Sequence, residues 1–167
     1  AVRGLTGRFV VPADLPEAWL PAEYIRDDGQ LSHRDLDAVA GVVTGCALAI
    51  AETTAQDPQI AEGVLTTPPS RNGPVQREAE RIRLATNAEY IVVLNTHWVR
   101  WSHPTASEIG HEVSTSPEEA LAGKEVMEID RGTLGRSARG KVPLYDADHR
   151  IIGAVSVGIP YDSVRAR

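Results

Sequence analysis

Two long β-strands joined by a short turn constrain this chain more than any other feature. Residues 136–145 and 150–159 alternate polar side chains with apolar or small ones, and the four residues DADH lie between the two segments. Such alternation is typical of a strand, and two strands around a short polar turn predict an antiparallel hairpin. The fold must therefore contain an antiparallel sheet built around this hairpin.

The predicted hairpin places two kinds of side chain on its two faces. Ser137, Arg139 and Lys141 share one face of the first strand. The opposite face carries the residues that suit a core: Ala138, Gly140, Val142 and Leu144. One face is therefore predicted to be apolar core, while the other holds cations and hydroxyls.

The position of the turn sets the partners across the hairpin. A turn centred on residues 147–148 predicts three cross-strand pairs: Arg139 with Ser156, Lys141 with Ala154, and Ser137 with Gly158. Small residues opposite the cations leave room above the sheet, so this face is predicted to form an anion pocket. A simply solvated polar face is the alternative, and a one-residue shift in register would exchange the two faces.

A phosphate-binding loop is another interpretation of residues 135–142, which read GRSARGKV and nearly match G-x-x-x-x-G-K-[S/T]. Val142 stands where a hydroxyl is needed to hold magnesium, and Pro143 follows at once. The segment also alternates like a strand, whereas a phosphate loop leads into a helix. A nucleotide site is therefore not expected.

The chain before the hairpin changes from helical to strand periodicity. Apolar residues recur at steps of three and four along a helix from Leu36 to Ile50, with a capping box at residues 32–35. Further helices are predicted from Pro58 and over residues 74–87. Strands follow at residues 90–94, 98–101 and 125–129, with short helical pieces at 105–109 and 116–122. This order predicts an α+β domain.

The domain organisation follows from composition and from the first helix. Residues 1–33 are proline-rich and aperiodic, which predicts an N-terminal arm, and residues 34–167 form the domain. The apolar residues of the helix from Leu36 to Ile50 have two interpretations. They pack on the sheet of their own domain, or they contact a second copy of the chain in a homodimer.

Charge and residue spacing exclude several classes of function. The net charge of −6 disfavours binding to nucleic acid. The five histidines lack metal-ligand spacing, and the lone Cys46 lies among the apolar residues of a helix, so neither a metal nor a cofactor is expected. No acid–base pair accompanies a nucleophile, so the domain is predicted not to be an enzyme. The acidic residues 118, 119, 125 and 128 are interpreted as solvated.

Arg100 and His103 form an R-x-x-H pair at the end of a predicted strand. Alternation alone places them on opposite faces, so both reach one ligand only where the chain bends before Pro104. The two residues are interpreted either as ordinary surface residues or as ligand-binding groups.

Four motifs occur together in the later part of the chain. They are R-x-x-H-P at residues 100–104, G-T-L-G at 132–135, R-G-K at 139–141 and V-S-V-G at 155–158. In this order and spacing, the sequence from about Ala47 to Ile159 resembles the extracytoplasmic sensor domains of bacterial citrate- and C4-dicarboxylate-sensing histidine kinases, the CitA/DcuS group. The resemblance implies a PAS-like (PDC) fold, with a central antiparallel sheet of about five strands and a long N-terminal helix.

The resemblance also implies a function. Such a domain lies outside the cell membrane, binds a small di- or tricarboxylate and passes a signal through its last strand to a following membrane helix. The residues that match the family's ligand-binding positions are Arg100, His103, Thr133, Leu134, Arg139, Lys141 and Ser156. The full-length protein is then expected to be a membrane-embedded sensor histidine kinase, whose catalytic core lies outside this chain.

Three positions depart from the family pattern and bear on the ligand. Val92 stands where citrate sensors carry a ligand-binding threonine, while Trp101 and Ser102 form an unusual middle for R-x-x-H. Arg-Gly-Lys favours a citrate-like over a fumarate-like ligand. The missing threonine favours a smaller acid, such as malate or succinate, or an altered pose of a tricarboxylate.

Other functions remain open on the sequence. The same sensor domain could belong to a chemoreceptor or a cyclase, and the chain beyond Arg167 would decide between these hosts. A small carboxylate-processing enzyme and an interaction module with a vestigial pocket are the further alternatives.

Overall fold

The computed structural model describes residues 33–132 and 135–160, with side chains over residues 41–129 and 137–160. Four α-helices span His33–Ala55 (α1), Pro58–Thr66 (α2), Pro74–Thr86 (α3) and Glu118–Leu121 (α4), with a 3-10 helix at Ala106–Glu108. Four strands span Tyr90–Asn95 (β1), Val126–Gly132 (β2), Gly135–Tyr145 (β3) and Ile151–Pro160 (β4). They form one antiparallel sheet in the order β1-β4-β3-β2, which confirms the α+β prediction.

The helix boundaries follow the signals in the sequence. Asp57 caps α2, because its Oδ1 accepts a hydrogen bond from the backbone N–H of Gln59 at 2.9 Å, and Pro58 occupies the first turn. Helix α3 ends where Asn87 adopts the left-handed conformation, with φ 53°. The predicted capping box at residues 32–35 and the predicted arm lie largely outside the described residues, so the boundary of the domain stays a prediction.

The strand predicted at residues 98–101 is reduced to two isolated bridges, Leu94 to Arg100 and Val99 to Glu112. Trp98 has φ 67°, which is incompatible with an extended strand. The N–H groups of Trp101 and Ser102 both donate to the carbonyl of Val93, so the regular ladder stops there. The described part of the sheet therefore has four strands where about five were expected.

The β3–β4 hairpin is present with a register that differs by two residues from the predicted one. Lys141 pairs with Ser156 and Arg139 pairs with Gly158. The connection is longer than predicted, because the turn runs over residues 146–150 and the ladder is irregular between Leu144 and Tyr145. Since side chains alternate with a period of two, the shift changes the partners and leaves each residue on its predicted face.

Helix α1 packs on the apolar face of this sheet. Val43, Ala47 and Ile50 are buried in the main core together with side chains of β3 and β4, so this part of the apolar seam packs within its own domain. The approach is so close at Gly140 that a Cβ atom there would lie 2.4 Å from the backbone nitrogen of Leu48. Glycine at position 140 therefore sets the distance between helix and sheet.

The segment between β1 and β2 covers part of the opposite face of the sheet. Val92, Leu94, Ala154 and Ala120 of α4 form a second apolar cluster there. The sheet thus lies between α1 on one side and the chain around α4 on the other, and the predicted anion-binding residues lie on the α4 side. Among the described helices, none combines the length and the hydrophobicity that crossing a membrane requires.

Candidate functional site

The register places the polar residues of the sheet in two neighbouring rows. One row crosses the strands β1, β4, β3 and β2 through Tyr90, Gly158, Arg139 and Glu128. The next row crosses them through Val92, Ser156, Lys141 and Val126. Neighbouring strands lie about 4.8 Å apart, so all these side chains rise from one compact area of the sheet.

Arg139 belongs to the first row and contacts the side chains of Ser137 and Tyr90. The residue is 7% exposed, its Nε donates to the Ser137 hydroxyl at 3.2 Å, and its guanidinium carbon lies 5.9 Å from the centre of the Tyr90 ring. Burial in a polar and aromatic surrounding limits the rotamers of the guanidinium and reduces its access to water. This geometry suits recognition of a carboxylate by two parallel hydrogen bonds.

The tyrosine ring fills space that the sequence predicted to be open. A Cβ atom at Gly158 would lie 2.1 Å from Cε1 of Tyr90, so glycine there makes room for the ring. The small Ala154 in turn lies beneath the apolar cluster around Ala120. The prediction that small residues leave an empty pocket was therefore wrong at these two positions, because side chains of the same domain occupy the space.

Tyr90 links the hydroxyl groups of the site and was missed in the sequence. Burial raises the pKa of its phenol, while the charge of Arg139 and hydrogen bonds with the Ser137 and Ser156 hydroxyls act in the opposite direction. The phenol therefore remains neutral at physiological pH. Its position two residues before Val92 on the same strand was the one signal that could have placed it on this face.

Lys141 occupies the second row and is paired. The residue is 8% exposed, and its Nζ lies 2.6 Å from Oε1 of Glu128 and 3.5 Å from the carbonyl oxygen of Ser116. Glu128 is not only a solvated residue, because β2 brings its 36% exposed side chain onto the same face of the sheet, where it pairs with Lys141. Ser156, opposite Lys141, is half-buried.

Arg100 lies on the same side of the sheet, beyond the edge strand β1. Its bridge to Leu94 places it on the Leu94 face, and it is 7% exposed. Its Nη1 donates to Oε2 of Glu108 at 3.1 Å and to the carbonyl oxygen of Glu112 at 2.7 Å. A third buried cation therefore lies on the same side of the sheet as the two on β3, beyond β1, and it also has a carboxylate partner.

His103 lies close enough to Arg100 to be affected by its charge. Burial lowers the pKa of the half-buried imidazole, and the charge of Arg100 adds to this effect, while Thr105 and Glu108 act in the opposite direction. Nδ1 lies 3.0 Å from the backbone nitrogen and 3.2 Å from the carbonyl oxygen of Thr105, so both the neutral and the charged ring find a partner. The bend after Arg100 brings the two residues within each other's electrostatic field.

The side chain of Gln76 fixes the backbone at His103. Its Oε1 accepts the His103 N–H at 3.0 Å, and its Nε2 donates to the His103 carbonyl at 3.1 Å. Helix α3 thereby holds the end of the R-x-x-H motif from 27 residues away in the sequence. This contact was not foreseen, since no local pattern links Gln76 to residue 103.

The two unusual residues in the middle of R-x-x-H serve the fold. Trp101 is buried in the main core, and its Nε1 donates to the carbonyl oxygen of Thr67 at 3.0 Å. Ser102 is fully buried, where its hydroxyl accepts from the N–H of Val93 and donates to the carbonyl of Ile91. Val92 is likewise packed in the second apolar cluster.

The predicted residues thus fall into two groups on one side of the sheet. Arg139, Lys141 and Ser156 form the group on β3 and β4, while Arg100 and His103 form the group beyond β1. Thr133 and Leu134 lie outside the described residues, so their role stays a prediction. Within the described residues, no group of three or more potential metal ligands lies together.

A separate groove of about 700 Å³ lies between α2 and the β3–β4 turn. Its lining includes five acidic residues: Glu52, Asp57, Glu62, Glu125 and Asp146. The charge of this lining repels an anion, whereas the face that carries Arg139 and Lys141 attracts one. The buried cations therefore define the candidate binding site.

Comparison with known proteins gives the family. Residues 32–167 match the family described as single cache domain 3. The chain is 38% identical to the sensor histidine kinase DcuS of Escherichia coli O6:H1 over 119 residues, which are 71% of this chain and 22% of that protein. It is 39% identical to the sensor protein CitS of Halalkalibacterium halodurans over 121 residues, again 71% of this chain and 22% of that protein.

The fold agrees with a solved structure of a relative. The crystal structure of the E. coli DcuS sensor domain superposes with a TM-score of 0.70 and 32% identity, and the match covers 77% of this chain and 96% of that domain. The chain spans about a fifth of the length of these two relatives, and its fold matches the sensor domain of DcuS. The resemblance found in the sequence is confirmed, and the chain belongs to the single cache domain 3 family, with the PAS-like fold of the DcuS sensor domain.

Proposed function

We propose that this domain is the extracytoplasmic ligand-binding part of a membrane-bound sensor histidine kinase and that it recognises a small di- or tricarboxylate. The observation that carries the proposal is the burial of three cations, Arg100, Arg139 and Lys141, on one side of a rigid sheet. Charged side chains are rarely buried, so three cations on one side of a sheet mark this face as a candidate binding site. The similarity to DcuS and CitS supports the kinase as the host protein.

Simple energetics support a carboxylate ligand. A hydrogen bond to a charged group contributes about 1.5–3 kcal/mol, and micromolar affinity requires about −8 kcal/mol. A few such bonds from Arg139, Lys141 and Arg100 suffice after the cost of ordering the ligand. Val92 supplies only an apolar contact on this face, which favours malate, succinate or a tricarboxylate in an altered pose.

The signal is proposed to leave through β4. This strand carries Ser156 and Gly158 in the site and runs to Pro160, close to the point where a membrane helix would follow in a full-length kinase. A ligand can shift the equilibrium between two shapes of the sheet only if it binds one of them more tightly. The same sensor domain on a chemoreceptor or a cyclase remains the alternative host.

Dimerisation through the helix from Leu36 to Ile50 stays a prediction. Val43, Ala47 and Ile50 pack into the core of their own domain, so a second copy would have to contact a different face of α1. Gly41 and Gly45 lie on such a face, because an added Cβ atom at either position would meet no atom within 4 Å. A backbone approach by a partner helix is sterically open there.

Calorimetric titration of the domain with citrate, isocitrate, malate, succinate, fumarate and tartrate tests the proposed function. We expect saturable binding of at least one acid without turnover, and no binding of the corresponding uncharged amide, because the cations require an anionic partner. Conversion of the acid by the domain would instead favour a small enzyme. Failure of all six acids to bind would reject a carboxylate sensor.

Carboxylate binding is expected to strengthen as the pH falls through the titration range of His103. The pKa of this imidazole is lowered from its ordinary value of 6.5 in the ligand-free domain, and a bound anion would raise it. Binding then takes up a proton, so affinity increases by up to about tenfold per pH unit between the two pKa values. Calorimetry at several pH values in buffers of different ionisation enthalpy measures this uptake.

Two variants separate His103 from other titrating groups. His103→Gln is expected to remove this proton uptake, whereas His97→Gln, which changes an exposed ring, should leave it intact. An unchanged pH profile in His103→Gln would exclude the imidazole from the site. The stability of the ligand-free domain is expected to change in the opposite direction. Because the pKa of His103 is lowered in the folded state, the domain becomes less stable as the pH falls below 6.5.

A further inference from the structure

We propose that Glu128 and Glu108 act as internal counter-carboxylates, which occupy two cations of the candidate site until the carboxylates of a ligand replace them. The inference rests on the proposed function, because it concerns the same site. It adds two acidic residues that set the affinity and the selectivity for ligands with at least two carboxylates.

Glu128 is placed to compete directly for Lys141. Its Oε1 lies 2.6 Å from Nζ of Lys141, and the two residues come from the neighbouring strands β2 and β3. The Lys141 side chain is 11% exposed, whereas the Glu128 side chain is 36% exposed. The carboxylate can therefore turn toward water at small cost, while the ammonium remains in place and needs a new partner.

Glu108 stands in the same relation to Arg100. Its Oε2 lies 3.1 Å from Nη1 of Arg100, and the side chains are 45% and 9% exposed, respectively. Arg100 also donates to the carbonyl oxygen of Glu112, and this bond can persist when Glu108 leaves. In both pairs the cation is buried and the carboxylate is the more exposed partner.

Replacement of an internal carboxylate by a ligand carboxylate explains how the domain can bury cations and still use them to bind a ligand. Leaving a buried cation without a partner is strongly unfavourable, so the ligand-free domain needs acidic groups of its own. The ligand then gains only the difference between its ion pairs and the internal ones. The domain therefore binds its ligand less tightly, and releases it faster, than it would if the three cations had no internal partners.

The spacing of the cations on β3 also sets selectivity. Arg139 and Lys141 lie two residues apart on the same face of this strand. A monocarboxylate can replace Glu128 at Lys141, whereas a di- or tricarboxylate can do so with one carboxylate and contact Arg139 with another. This spacing therefore favours acids with two or more carboxylates over monocarboxylates.

Substitution of Glu128 tests this competition. Glu128→Gln is expected to tighten binding of succinate, malate or citrate by roughly three- to tenfold in calorimetry, because the neutral amide competes poorly for Lys141. Glu125→Gln removes an exposed charge three residues earlier, just before β2, and should change affinity less than about twofold. Glu108→Gln should tighten binding less than Glu128→Gln, since Arg100 keeps its bond to the Glu112 carbonyl.

A spectroscopic measurement on the unaltered domain follows the exchange itself. The carboxyl carbon resonance of Glu128 is expected to shift on saturation with the acid as its contact with Lys141 is lost, while that of Glu125 stays in place. If the wild-type domain binds an acid, unchanged or weaker binding by Glu128→Gln with a static Glu128 resonance overturns the counter-carboxylate role alone. If neither form binds any of the acids, the proposed function itself fails.

Discussion

Arg139→Ala is expected to weaken carboxylate binding by roughly 10- to 100-fold. The substitution removes a guanidinium that is 7% exposed and held in place by Ser137 and the Tyr90 ring. Charge-assisted hydrogen bonds of about 1.5–3 kcal/mol each are lost with it, and 1.4 kcal/mol corresponds to a factor of ten in affinity. Calorimetric titration of the folded variant with the tightest-binding acid measures the change.

Two matched variants separate the site from general electrostatics. Arg150→Ala removes the same charge from an exposed position beside Asp148 at the far end of the hairpin and should leave affinity within about twofold. Arg139→Lys keeps the charge but loses the planar fork of donors, so an intermediate affinity is expected. Equal affinities for the wild type, Arg139→Ala and Arg150→Ala would place the ligand elsewhere.

Gly140→Val is expected to lower the free energy of unfolding by about 3 kcal/mol or more. A Cβ atom at this position would lie 2.4–2.6 Å from backbone atoms of Ala47 and Leu48, so α1 would have to move away from the sheet. Overpacking typically costs 1–3 kcal/mol, and backbone atoms give way less easily than side chains. Since a domain of this size is stable by about 5–15 kcal/mol, urea denaturation should detect the loss clearly.

Gly41→Ala is the matched control for this prediction. It adds the same first carbon to a glycine of α1 where nothing lies within 4 Å of it. Alanine in a helix is favoured over glycine by about 0.5–1 kcal/mol, so this variant should be slightly more stable than the wild type. Similar stability of Gly140→Val and the wild type would contradict the close packing of α1 on β3.

The hairpin shows how much of this molecule the sequence predicts. Alternation alone placed Arg139, Lys141 and Ser156 on one face, and that result survived a register that differs by two residues from the expected one. Because side chains alternate with a period of two, a register shift of two residues leaves every side chain on the same face of the sheet. The alternation does not determine which residues pair across the strands. Which residues pair across the hairpin depends on the length of the turn, and the sequence DADH does not define that length.

The rest of the site depends on contacts between distant segments. Glu128 pairs with Lys141 because β2 lies beside β3, and Gln76 holds His103 across 27 residues of sequence. Tyr90 reaches Arg139 because Gly158 has no side chain beneath the ring. Periodicity and local motifs contain none of this information, so a sequence-based account predicted an open pocket where the structure has a closely paired polar network.

A crystal structure of the domain with its tightest-binding di- or tricarboxylate is the most direct test of the central claim. We expect carboxylate oxygens about 2.7–2.9 Å from the guanidinium of Arg139 and from Nζ of Lys141, with Glu128 turned away from Lys141. An acid bound at another surface, with the Lys141–Glu128 pair intact, would contradict the assignment of this face of the sheet as the carboxylate site.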